Sequence, residues 1–521
     1  MGARKIRVGS WLLALAILCL GCGGGPAALG AQKGTGEEKA EAPRPPVGGH
    51  PLPLRRVKPE AYGAFAKAVL LQTRSVRLLF EAQQLRASDR ELAQEKRRQA
   101  AEVWAEALEA FKHAIALDPE GVVPVRELAF ALATRGDFEE ALPYLERTVE
   151  LAPEDFAARL ELALLYEQAE RFADARATYR QVIDQAPANQ ASWLLPELYV
   201  HLAGVTGRVE GAAGALAVFV EALTVCPEAE PVRTGTERAI ERTRAEEGLA
   251  DKLEKAVPTK ARGFAYSYVL GRVALVRRDW GGAAAELGRA IGAKADFWPA
   301  YLYRCLALSE AGQAEEALKV LAQLPSGELA AGKAESLRGA ILFRAQRYQE
   351  ARQALEQAVQ VAPSDVGARY ELAGTYEKLG MLDEAIAALR VNLGLKPDDA
   401  DTLNALGYFL ALKNAELEEA EKLVRKALEQ DPENGAYLDS LGWVLFRQGK
   451  GDEALALLTK AAEKLADPVV YEHLGDVYRE RGQTEEAARW WERALQLDAG
   501  AAGVREKLRA VRPEGSSPAG Q

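Results

Sequence analysis

The side chains of this 521-residue chain best suited to metal ligation or nucleophilic chemistry are four histidines and four cysteines: His50, His113, His201 and His473, and Cys19, Cys22, Cys226 and Cys305. A metal site needs such ligands at short, fixed spacings. Each histidine reads as isolated, His50 in a Pro- and Gly-rich stretch and His473 beside an apolar Leu474. There is no Gly-x-Ser-x-Gly elbow, no Gly-x-x-x-x-Gly-Lys-Ser/Thr phosphate loop and no dinucleotide glycine fingerprint. Adjacent carboxylates such as Glu139–Glu140 and Glu485–Glu486 could do acid–base work, but they fall where helices begin and favour the helix dipole. The cysteines form no disulfide framework; Cys305 stands where a small buried residue is wanted, and Cys226 sits beside Pro227 at a helix end. These residues predict no catalysis, no metal, no cofactor and no small-molecule substrate.

The elements that carry them repeat. Ala107, Ala141 and Ala175, then Ala351, Ala385, Ala420, Ala454 and Ala487, recur about every 34 residues, as do Pro119, Pro153, Pro187 and Pro363, Pro397, Pro432. Such a period marks stacked helical units. In residues 122–155, Leu128, Ala129 and Leu132 share one helical face, Gly136 permits a turn, and Ala141, Leu145 and Thr148 share a second face. Pro153 then stops the second helix. Neither helix can bury its stripe alone, so each unit must lean on the next.

These residues resemble the tetratricopeptide repeat. Residues 366–399 show its pattern in Leu372, Ala373, Tyr376, Gly380, Ala385, Leu389 and Pro397; 435–467 in Leu441, Gly442, Leu445, Gly449, Ala454, Leu458 and Ala461; 468–501 in Leu474, Gly475, Tyr478, Gly482, Ala487, Trp491 and Ala494. Copies at 156–189 and, less regularly, 196–229, 264–297, 298–331 and 332–365 extend the array, and the 400–434 copy carries one extra residue before Ala420. The resemblance implies an all-α fold, a right-handed superhelical solenoid of helix-turn-helix repeats. It also implies a protein-binding surface without enzymatic activity, since the repeat specifies a scaffold and not a partner.

Composition narrows the partners. The formal charge is −10, and it becomes −13 without the three basic residues of the first 21. An acidic chain with no basic block is a poor nucleic-acid binder. The N-terminus gives an address: Arg4, Lys5 and Arg7 precede an apolar run, Trp11 to Leu20, too short to span a bilayer but long enough for a signal-peptide core. Leu20-Gly21-Cys22 resembles a bacterial lipobox, with Cys19 where that family usually has Leu. The resemblance implies cleavage after residue 21, lipidation of Cys22, and a protein anchored in the envelope, at the outer membrane and facing the periplasm. Residues 22–60, rich in Gly, Ala, Pro and charge, read as a tether with a reach of roughly 35 Å.

The array is read as a helical cap with a partial repeat at 61–121, repeats at 122–229, a degenerate repeat or break at 230–263, repeats at 264–501, a polar capping helix at 502–511 and a tail at 512–521. Within 230–262 no Gly or Ala falls in phase and Pro258 interrupts, which suits either a degenerate repeat or a partner-specific insert. In the resembling family the first helix of each repeat lines a concave groove. Its facing positions map onto Asn404 and Tyr408, then Asp439, Trp443, Phe446 and Arg447, then Glu472, Asp476 and Arg479. Aromatic and Arg anchors suit an interface, and an Asn side chain can clamp a peptide backbone. The alternative is that Trp443 and Tyr408 simply pack between neighbouring helices. Residues 403–408 and 437–443 are similar to those of long Gram-negative tetratricopeptide lipoproteins, some of which present cell-wall hydrolases to a carboxyl-terminal processing protease. That resemblance implies an adaptor; a structural assembly factor for an outer-membrane, pilus or secretion complex is the competing expectation.

Overall fold

The computed structural model describes residues 58–85, 89–243, 246–324 and 332–512. Among these the secondary structure is helical, with 24 α-helices and two short 3-10 turns. The expected N-terminal signal segment, most of the tether including Cys22, and the tail from 513 lie outside the described residues. The chain forms two compact units, residues 1–297 and 298–521.

The first unit opens with two long helices, Pro59–Gln84 and Arg90–Leu117, packed on one another. Antiparallel pairs follow: Val122–Arg135 with Phe138–Leu151, Phe156–Gln168 with Phe172–Gln185, and Phe264–Val276 with Trp280–Ala293. Between the last two lies Leu195–Val225, whose direction reverses at Gly211, where φ is 76° and ψ −168°. The reversal makes one helix pair out of a continuous run.

The break is two short helices, Glu230–Glu241 and Leu249–Ala256, which pack on Leu195–Val225 rather than on each other. Its buried Val232, Ile240, Leu249, Leu253 and Val257 keep it in the first unit's core. A small residue is present after all: a Cβ on Gly235 would lie 2.8 Å from the Phe219 ring. It escapes a search for in-phase residues because its contact is to the preceding repeat.

The second unit stacks six pairs, from Trp298–Glu310 with Ala314–Ala322 to Pro468–Glu480 with Thr484–Leu497, and ends on Ala502–Val511. Asp365, Asp399 and Asn434 start first helices by accepting backbone N–H bonds from Ala368, Thr402 and Ala436 at 3.1 Å. Gly380, Gly449 and Gly482 take the left-handed conformation at the turns. Weaker copies force a side chain into that conformation, as at Gln346 (φ 59°), at a cost of about 1–2 kcal/mol. The extra residue of the 400–434 copy is absorbed by two such residues, Asn414 and Glu416.

One position sets the closeness of each pair. A Cβ on Gly407 would sit 2.4 Å from Val424 and 2.9 Å from the Ala420 backbone oxygen; on Gly442, 2.7 Å from Leu458; on Gly475, 2.3 Å from the Trp491 indole. Gly374, also helical, meets nothing within 4 Å. In urea unfolding, Gly407→Val is expected to cost at least about 1–3 kcal/mol, because backbone must move. Gly374→Ala is expected to gain about 0.5–1 kcal/mol by favouring helix.

Candidate functional site

First helices of neighbouring repeats touch one another in the second unit: Ala400–Lys413 packs on Gly435–Arg447, which packs on Pro468–Glu480. The second helices, Leu417–Gln430, Gly451–Lys464 and Thr484–Leu497, make no comparable contact with each other. The first helices therefore line the tighter side of this unit, which is where the sequence places a groove.

The nine groove positions divide into three groups. Tyr408, Asp439 and Trp443 converge on a residue the sequence reading set aside. His473, isolated in the sequence, is buried, and its Nδ1 lies 2.9 and 3.1 Å from the two Asp439 carboxylate oxygens. Its ring stacks on Trp443 at 4.0 Å and 16°, with Tyr408 6.0 Å away. Asp439 and Trp443 are 6% and 8% exposed, so both belong to the packing between repeats. Burial, followed by the charges of Asp439, Glu377, Glu472 and Asp467, raises the Tyr408 phenol well above its ordinary pKa. The phenol is therefore protonated and available as a donor.

Glu472 and Asp476 form the second group. Both accept from Lys507 Nζ at 2.6 Å, and Asp476 also accepts from Trp491 Nε1 at 3.2 Å. Burial works against the Lys507 charge, but Asp476 and Glu472 outweigh it and raise its pKa. These carboxylates thus hold the final helix, Ala502–Val511, onto the array. The third group faces solvent: Arg447 and Arg479 are exposed and Phe446 is half-buried. The Phe446 ring lies 5.2 Å from Trp443, and the Arg447 guanidinium 5.9 Å from it.

The missed contacts do have a sequence signature. Asp439 and His473 are 34 residues apart, as are Glu167 and His201, which meet at 2.9 Å; Glu472 and Lys507 are 35 apart. Residues separated by one repeat occupy equivalent places on adjacent helices. An acid and a base at that interval are neighbours although remote in the chain.

Two buried polar atoms on these first helices remain without partners, Asn404 Oδ1 and Trp443 Nε1. One accepts and the other donates, which is the complement of a peptide group. Asn404 lies one helical turn before Tyr408, so the two share a face. Two further first-helix arginines are engaged within the protein: Arg272 is buried and paired with Glu237 in the first unit, and Arg344 pairs with Glu310 at 2.7 Å in the second. Cys305 is a buried thiol, pushed up to about 12 by burial, and Cys226 and Cys305 are both free. Among the described residues no three His, Cys, Asp or Glu side chains converge as metal ligands. None of the described helices is long and apolar enough to cross a membrane.

The cluster separates fold from binding. Trp443→Ala is expected to destabilise the chain by about 3–5 kcal/mol in urea unfolding, since it removes a buried ring. Asn404→Ala removes an unpartnered buried acceptor together with its desolvation cost, so its unfolding free energy is expected to be unchanged or higher, by up to about 1–3 kcal/mol.

Sequence profiles described as tetratricopeptide repeat match residues 126–190, 163–223 and 410–468, residues 342–407, and residues 468–501. The chain is 33% identical over 208 residues to the TPR repeat-containing protein PA4667 of Pseudomonas aeruginosa, covering 40% of this chain and 35% of that one. It is 29% identical over 126 residues to the type IV pilus assembly protein PilF of the same organism, covering 24% of this chain and 50% of that one. The chain thus spans only about a third to a half of these relatives' lengths. Among solved structures, the APC/C hetero-tetramer Cut9–Hcn1 aligns over 87% of this chain and 92% of its own at 14% identity, with a TM-score of 0.39.

Proposed function

The chain carries tetratricopeptide repeats, which typically bind other proteins, and on that premise we propose that it is a non-enzymatic scaffold anchored through lipidated Cys22. On this reading it captures an extended segment of a partner on the first helices of 400–480. The observation that carries the proposal is the unpartnered pair Asn404 Oδ1 and Trp443 Nε1 on adjacent first helices, the former on the helix that carries Tyr408. A buried donor or acceptor left unmade costs about 1–3 kcal/mol. A peptide group running past Asn404 and Trp443 would satisfy one acceptor and one donor. Exposed Arg447 and half-buried Phe446 supply an adjoining anchor.

The function is that of an envelope adaptor, holding a processing protease and a cell-wall hydrolase together and so raising their effective concentration. The composition of residues 22–60, which reads as a tether, supports placing the array near, but not on, the membrane. One observation favours a second reading: the relative over 126 residues is named a pilus assembly protein. A stoichiometric, lasting complex with an envelope machine would mark an assembly factor instead.

The test is a crosslinking pull-down from envelope extract with residues 23–521, beside an Asn404→Ala, Arg447→Glu variant that leaves the Trp443–His473 stack intact. Recovery of a protease or hydrolase by the parent and its loss from the variant is the expected result. Equal recovery by both removes the groove assignment. In a companion experiment, Cys22→Ser is expected to move the full chain from the membrane to the soluble fraction; retention in the membrane contradicts the lipid anchor.

A further inference from the structure

The short helices of the break have a consequence in the first unit. Full second helices there, such as Phe138–Leu151 and Phe172–Gln185, run 14 residues, but Leu249–Ala256 runs 8. The deficit removes about 9 Å of helix. Beside this place is a cavity of about 800 Å³, bounded by Phe172–Gln185, by both arms of the helix that reverses at Gly211, and by residues 256–264. Its size falls within the range of small-molecule sites, about 300–1,000 Å³.

The lining defines what fits. Val218, Val220 and Val257 are buried and aliphatic, and Phe264 is the one aromatic residue that lines the cavity. Among the described residues the lining thus offers a flat ligand a single ring, already in edge contact with Phe297, and no second ring to enclose it. Thr206, 3% exposed, lines the cavity and its Oγ1 has no hydrogen-bond partner. Two arginines at the wall are committed: Arg176 to Glu210, and Arg180 to Glu221 at 2.5 Å, where Tyr199 also donates at 3.1 Å. Lys260 is exposed at the edge and has no ion-pair partner among the described residues.

An extended peptide would bring one donor and one acceptor per residue, far more than a wall with one unpartnered buried hydroxyl can satisfy. A flexible aliphatic chain with a single polar head matches it, and the uncommitted cation selects a negative head. We infer that this cavity is a binding site for an acyl-chain carboxylate, its chain against Val218, Val220 and Val257 and its head near Lys260. The inference is independent of the peptide reading, since all these residues lie in the other unit.

Isothermal titration of the purified chain with straight-chain alkanoates from octanoate to tetradecanoate, each below its micelle-forming concentration, tests it. Affinity should rise about three- to fourfold per added methylene until the cavity is filled. Lys260→Glu, at an exposed position, should weaken alkanoate binding about three- to tenfold and leave the alkanol of the same length unchanged. Ala177→Trp, at an exposed position of the wall, should weaken both. Absence of saturable binding overturns the proposal. So does binding whose chain-length dependence survives Ala177→Trp intact, which would place the ligand elsewhere. Equal loss of alkanoate and alkanol in Lys260→Glu would overturn the head-group assignment.

Discussion

The second unit depends on one constraint, the close approach of the two helices within each repeat. At Gly407, Gly442 and Gly475 there is no room for even a methyl group against Val424, Leu458 and Trp491. Ala385, Ala420, Ala454 and Ala487 are fully buried on the opposing helices. Fixed spacing within each pair gives every repeat the same shape, so the next can stack in the same register. Equivalent positions of successive repeats then become neighbours. This is why an acid and a base one period apart, such as Asp439 and His473, meet without any local sequence cue.

The same register determines which polar groups remain available. Aromatic and charged residues on the inner helices could serve either the stack or a ligand, and most serve the stack. Trp443 and Asp439 hold His473 between repeats, and Glu472 and Asp476 hold Lys507 of the last helix. What is left over is small: an amide oxygen, an indole N–H, a phenol kept protonated by burial and nearby carboxylates, and the exposed Arg447. A binding surface of this kind has few strong anchors and gains specificity from the geometry of unsatisfied polar atoms.

The repeat was legible because its constraints act on residue type at fixed intervals. Small residues at the close approach, glycine at the turns and proline after the second helix all leave a periodic trace. Two of the weaker copies faded where the chain tolerates strain, with Arg278 and Gln346 taking a conformation that glycine takes elsewhere. The break was visible, but its content was not. Gly235 packs on the preceding repeat, and a helix of 8 residues in place of 14 creates space that no residue pattern encodes. At the candidate site the facing positions were legible from the family resemblance. Their division between stacking and exposure was not, because it turns on His473 and Lys507 arriving from the next units.

The central claim is that partners are held on the first helices of 400–480. A photo-crosslinking amino acid placed in turn at Asn404, at Arg447 and at the exposed Arg425 on the second helix tests it in living cells. The account predicts one shared partner adduct from positions 404 and 447 and none from 425. Adducts from 425 with 404 and 447 silent would place the binding surface on the second helices and contradict it.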